Sequence, residues 1–157
     1  MKIKLLAIGK TDDKNLQILI DGYQKRLKHY IGFEFEILPD IKNAKNISQK
    51  QQKEKEGKLI LKKLKPTDSL IVLDENGKEF SSVRFSGFLQ KKMNSGIKQL
   101  VFVIGGPYGF SQEVYKKAQG KISFSKMTFS HQMFRLFVVE QIYRAFTILK
   151  NEPYHHK

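Results

Sequence analysis

The hydrophobic pattern of the chain switches repeatedly between two periods. Lys2–Ile8 alternates and then runs apolar, which predicts a strand, and Gly9-Lys10-Thr11-Asp12-Asp13 follows as a turn rich in helix-capping residues. Leu16, Ile20, Tyr23, Leu27 and Tyr30 then recur at helical spacing, one stripe of a helix that ends near Gly32. Period two returns in Phe33–Leu38, a half-buried strand stopped by Pro39-Asp40. Ser48 and Gln51 are spaced as a capping box, and a helix is expected from Gln49 to Leu64, apolar only toward its end. Leu70–Asp74 predicts a buried strand, with Glu75-Asn76-Gly77-Lys78 as its terminating turn. Ser81 or Ser82 caps a helix that points Val83, Phe85, Phe88, Leu89 and Met93 inward and closes at Gly96.

Leu100-Val101-Phe102-Val103-Ile104 is apolar without interruption, the pattern of a strand buried on both faces. It runs into Gly105-Gly106-Pro107-Tyr108-Gly109. Ser111 caps a short helix, Gln112–Gln119, with Gly120 as its C-terminal glycine. Lys121–Phe124 is a brief strand, and residues 125–130 are a loop. The last helix carries Phe134, Val138, Ile142, Ala145 and Leu149 on one face and Phe137, Val139, Tyr143 and Phe146 on a second. Two apolar faces call for a fully internal helix or for a partner subunit, and in so small a chain a dimer interface is the expectation. The alternation of strand and helix predicts one α/β domain over residues 1–157, with a mostly parallel sheet and helices on both faces.

Charge narrows the partner. Against 15 Asp+Glu stand 29 Lys+Arg, a net charge of +14 in 157 residues, which points to a polyanion such as RNA or else to a solubilising surface. The polar segment 41–58 reads either as a mobile basic arm for RNA or as a solvated helix face. The absence of Cys removes disulfides and Cys-based zinc sites, and four His leave no expectation of a metal. No apolar run approaches bilayer length, and the one at Met1–Gly9 is too short for a signal peptide, so a cytoplasmic protein without membrane contact is expected.

The candidate chemistry sits at the glycine turn, because ligands of open α/β sheets bind beyond the carboxyl ends of the strands. The turn has neither the Gly-Lys-Ser/Thr of a phosphate loop nor the spacing of a dinucleotide fingerprint. No two carboxylates stand out as an acid/base pair.

Five segments together carry a resemblance: Leu70–Asp74, Ile104-Gly105-Gly106-Pro107-x-Gly109, Ser123–Ser130, Arg135-x8-Arg144-Ala145 and Asn151-x-Pro153-Tyr154-His155. The chain resembles the RlmH family along its whole length, the SPOUT-class methyltransferases that act on a pseudouridine of bacterial large-subunit ribosomal RNA. The resemblance implies a SPOUT (α/β knot) fold with a deep C-terminal trefoil knot over roughly residues 70–157, a homodimer, and S-adenosylmethionine (S-adenosyl-L-methionine) bound in the knot. It implies methylation of N3 of a pseudouridine in helix 69 of 23S rRNA, on the assembled ribosome. A non-catalytic RNA- or ribosome-binding factor on the same fold is the alternative.

Carried over by position, Leu73, Gly105 and the loop Phe124, Ser125, Lys126, Met127, Thr128, Phe129 would hold the cofactor. Phe124, Lys126 and Phe129 depart from the smaller or aliphatic residues expected there. The imide N3 must lose its proton to attack, which makes His155 the first candidate base. Arg144 would hold phosphate or the imide oxygens, and Tyr154 would stack on or orient the base. Arg135, His131 and His156 are the expected RNA contacts, with His156 standing where a relative would carry Arg.

Overall fold

The computed structural model describes residues 1–156. Strands and α-helices alternate, with one 3-10 turn at Ala44–Asn46 before α2: β1 (Lys2–Ile8), α1 (Lys14–Leu27), β2 (Gly32–Leu38), α2 (Gln49–Lys62), β3 (Ser69–Glu79), α3 (Ser82–Asn94), β4 (Gln99–Ile104), α4 (Gln112–Lys117), β5 (Gly120–Ser123) and α5 (His131–Leu149). Capping side chains open the helices. Asp13 accepts from the N–H groups of Asn15 and Leu16, and Ser48 and Gln51 form both bonds of the capping box. Ser81, not Ser82, caps α3, and Ser111 and Ser130 cap α4 and α5. Each such cap is worth about 1 kcal/mol.

The five strands pair in the order β2-β1-β4-β3-β5, and every pair is parallel. The inner strands divide their side chains between two cores. Ile3, Leu5, Ile71, Leu100 and Phe102 face α1, α3 and α5. Leu6, Leu70, Val72, Val101 and Val103 face the other way, onto Ile60 of α2 and Val114 of α4. Uninterrupted apolar runs are what a doubly covered parallel sheet requires. Edge strand β2 keeps its alternation, and its Glu36 meets Lys4 at 2.6 Å and Lys63 at 2.5 Å. Those two cations hold the Glu36 carboxyl below its usual range. Among the described residues no helix is long and apolar enough to cross a membrane.

Five details depart from the pattern reading. β3 does not stop at Asp74. Ile122 of β5 pairs with Leu73 and again with Lys78, so residues 74–77 bulge out while the strand continues to Glu79. The Asn-Gly signal therefore marks a bulge within a strand. Gly77 is needed there, since a Cβ would sit 2.6 Å from the Ile122 backbone. Val83 points outward, 44% exposed, because it lies about 200° around the helix from the buried Phe85. Gly120 opens β5 rather than capping α4, which ends at Lys117. The preceding Gln119 is already tied to Leu70, its N–H donating to the Leu70 carbonyl at 2.8 Å.

The other two concern whole segments. From Gln49 on, the polar segment is no free arm: α2 buries Glu56, Gly57 and Ile60. A Cβ at Gly57 would meet Ser111 Oγ at 2.3 Å, so α2 lies hard against the start of α4. Finally, α5 is covered largely by its own chain. Val138, Val139 and Ile142 are 0% exposed, and α1 and α3 flank the helix. Tyr143, from the second face, lies 5.6 Å from Tyr23 and 5.9 Å from Tyr30. Burial of both apolar faces thus needs no partner, and Phe137 is what remains of the second face at the surface.

Candidate active site

Register brings three strand ends level. Leu73 of β3 pairs with Ile104 of β4 on one side and Ile122 of β5 on the other. The chain beyond these ends, with the start of α5, encloses a cavity of about 420 Å³, a size suited to a small ligand. Leu73, Ile104, Phe124, Met127 and Phe134 give it apolar walls, and the β3 bulge sets Asp74, Glu75 and Asn76 on its rim.

The glycine turn forms another wall. The Gly109 N–H donates to the Gly106 carbonyl at 3.2 Å, and Gly109 has φ +80°. Gly105 passes so close to Phe110 that a Cβ would lie 3.0 Å from the ring. The loop after β5 is shaped by its own hydroxyls. Ser123 Oγ donates to the Ser125 carbonyl at 3.0 Å, and Ser125 Oγ accepts from the Met127 N–H at 2.9 Å. Phe124 meets Phe85 and Phe134 edge-on, and Phe129 stacks on Phe134. Tyr115 donates its hydroxyl to Asp74, whose other oxygen accepts from the Asn76 N–H at 2.8 Å. Burial and that carboxylate push the Tyr115 phenol up to about 12.

Of the residues expected to hold the cofactor, Leu73, Gly105, Phe124, Ser125, Met127, Thr128 and Phe129 all line this cavity. Lys126 does not: it is exposed and lies 3.4 Å from Glu79. Asp74, Glu75, Asn76, Phe110 and Tyr115 also line it and were not singled out from sequence. A signal for two of them was present. Phe110 and Tyr115 flank the Ser111 cap at the positions of a hydrophobic staple, and their rings meet at 5.7 Å.

The residues expected to act on the substrate lie elsewhere. Arg144 is thirteen residues along α5 from His131 at the cavity, about 20 Å of helix. There the chain end folds back. Arg144 meets Glu140 Oε1 through Nη2 at 2.6 Å and Nε at 3.0 Å, and its guanidinium stacks 4.7 Å from the Tyr154 ring centre. Tyr154 donates to Glu140 at 3.0 Å and shares a hydrogen bond with Tyr23. Burial, that bond and the carboxylate push its phenol well above the usual range, so it stays protonated.

Arg144 Nη1 lies 3.3 Å from His155 Nδ1. A guanidinium can only donate, so Nδ1 is the acceptor and Nε2 carries the proton. With Nδ1 accepting from Arg144, the arrangement leaves a hydrogen-bond donor at Nε2 of His155. A second cavity, of about 440 Å³, shares Phe124, Phe129 and Phe134 with the first and extends to Glu140.

The three expected RNA contacts separate. Arg135 is 2% exposed; its guanidinium donates to the Ile8 carbonyl at 2.6 Å and to Thr11 at 2.9 Å. It ties α5 to the end of β1 and has no surface to offer a phosphate. Among the described residues its Nε has no hydrogen-bond partner, and burial holds its pKa down. His131 lines the cavity. Although the residue is exposed, desolvation of its ring at the cavity wall and the nearby Arg135 hold its imidazole below the ordinary value. His156 is exposed. Among the described residues no three His, Asp or Glu side chains come together to hold a metal ion.

The family described as "Predicted SPOUT methyltransferase" matches residues 1–155, and the chain belongs to the SPOUT methyltransferases and, within them, to the RlmH family. Its relatives include three bacterial proteins named "Ribosomal RNA large subunit methyltransferase H". They are 74% identical in Flavobacterium psychrophilum, 66% in Christiangramia forsetii and 55% in Porphyromonas gingivalis, each over 100% of both chains. A solved structure, "a probable methylase family protein from Haemophilus influenzae Rd KW20", shares the fold at TM-score 0.51 and 12% identity, over 99% of this chain and 70% of that one.

Proposed function

We propose that the chain transfers a methyl group from S-adenosylmethionine to N3 of a pseudouridine in helix 69 of 23S rRNA, on the ribosome and as a homodimer. The observation that carries this reading is the cavity at three strand ends, in a chain whose relatives include one 74% identical and named "Ribosomal RNA large subunit methyltransferase H". The cavity suits the cofactor. Backbone polar groups of the glycine turn and the 123–129 loop lie among apolar walls able to take an adenine. When bound, S-adenosylmethionine supplies an electrophilic methyl group on a sulfonium centre. Leu73, Gly105 and the loop residues hold and orient it, and Lys126 stays outside. The trefoil knot implied by the sequence resemblance belongs to this reading.

Arg144, Tyr154 and His155 handle the acceptor base. N3 lies between two carbonyls, so its loss of a proton to solvent spreads negative charge over both oxygens. His155 Nε2–H donates to one of them, and the Arg144 charge behind it stabilises the anion. Tyr154, neutral and fixed by Glu140 and Tyr23, stacks against the base. Within one chain these groups stand about 20 Å along α5 from His131. A partner subunit's chain end therefore completes each cavity, and the exposed Phe129, Met133 and Phe137 beside it suit such a contact. The net charge of +14 suits the ribosome.

Mass mapping of ribosomal RNA from cells with and without the protein tests the proposal. The methyl group on pseudouridine is lost on deletion and restored by the intact chain. An unchanged methylation map overturns it.

A further inference from the structure

Two titratable side chains with no part in the proposed chemistry meet at the glycine turn. Glu56, on α2, is 4% exposed. Among the described residues no Lys, Arg or His forms an ion pair with it. Gln52 Nε2 donates to Oε1 at 3.1 Å, and Asp40 adds only a like charge. A carboxylate so placed is costly without further partners. The remaining one is backbone: the carboxylate turns toward Gly106, an interaction that favours its charged form, as an N–H does. The approach is close, since a Cβ on Gly106 would lie 2.4 Å from Oε2.

His131 reaches the same turn from α5. His131 and Gly105 line the same cavity, and the Gly105 backbone favours the charged imidazolium, as a carbonyl does. The Gly105 carbonyl and the Gly106 N–H belong to one peptide unit and point in opposite directions. The two helices likewise pack on opposite faces of the sheet.

We propose that Glu56 and His131 are positioning residues that brace the Gly105–Gly106 peptide from its two ends, α2 holding the N–H and α5 the carbonyl, and so fix one wall of the methyl-donor cavity. The role in methyl-donor binding rests on the cavity being the S-adenosylmethionine site. A peptide between two glycines rotates more freely than any other in the chain. Held at both ends, it presents a single face to the ligand. Burial raises the Glu56 pKa toward neutrality, whereas desolvation and Arg135 lower that of His131 away from it, so the α2 brace is the one that responds to pH more than an ordinary side chain of its kind would. Asp40 is the other charge facing Glu56, and Arg135 the one facing His131.

The test uses the full isotope-labelled chain, with the Gly106 amide resonance as reporter and calorimetry with S-adenosylmethionine beside it. Glu56→Gln keeps an acceptor oxygen; it leaves the resonance near its wild-type position and the affinity within about threefold. Glu56→Ala moves the resonance and weakens binding about tenfold, the scale of a buried N–H left without a partner. His131→Ala weakens binding comparably, and the double variant loses less than the product of the two, because either loss already frees the peptide. If Glu56→Ala fails to fold, the wild-type amide decides: its resonance titrates with Glu56, and that titration vanishes in Glu56→Gln. An amide indifferent to pH, or a Gln variant as weak in binding as Ala, overturns the brace. A wild-type chain whose amide titrates but which binds no S-adenosylmethionine supports the brace and overturns the cofactor reading instead.

Discussion

The cavity at the strand ends and the cluster at the chain end are built by different physics. The cavity is mostly backbone and apolar surface. Its position follows from strand register, which holds Leu73, Ile104 and Ile122 level, and its shape from places where a side chain is absent. The chain-end cluster is side chains throughout. Glu140, Arg144, Tyr154, His155 and Tyr23 hold one another by hydrogen bonds and ring contacts on the outside of α1 and α5. A backbone site tolerates exchange of its lining but not an added atom at a glycine. A side-chain network tolerates neither the loss of a donor nor the loss of an acceptor.

Mutations at the two regions should therefore separate binding from chemistry. The largest effect is expected at His155. His155→Ala lowers methyl transfer by about 10²–10⁴-fold and leaves S-adenosylmethionine affinity unchanged, read by single-turnover kinetics beside calorimetry. Equal loss of both would merge the two regions. His155→Gln sharpens the point, since an amide Nε2 can donate but not accept a proton in catalysis. Recovery of about tenfold or more over Ala marks a donor, and no recovery marks a base.

The next effect falls on the other side. In Gly106→Ala the new Cβ meets the Glu56 carboxylate, and the strain of roughly 1–3 kcal/mol appears as weaker cofactor binding of about tenfold or more. RNA affinity in a filter-binding assay stays as it was. Tyr23→Phe removes the hydroxyl shared with Tyr154 and costs about 1 kcal/mol of stability in chemical denaturation, with cofactor affinity intact. Lys126→Ala is expected to do least. Its exposed pair with Glu79 contributes under about 0.5 kcal/mol to stability, and cofactor affinity holds within about twofold.

Charge, the two periods and the caps lie in the sequence itself. The chain dictates ten alternating elements, a sheet with apolar interior strands, and helix starts at Asp13, Ser48 and Ser111, because these are local properties of neighbouring residues. It also marks the glycine turn as unusual. Pairing partners are not local. Only the folded chain decides that β3 lies between β4 and β5, and that placement makes the Asn76-Gly77 stretch a bulge over a cavity rather than the end of a strand. Burial of single polar residues is decided there too. Arg135 and Glu56 look in sequence like surface charges. The structure gives Arg135 the carbonyl of Ile8 and sets Glu56 behind the glycine turn, because residues about 50 and 127 positions apart reach each other only after the sheet has formed.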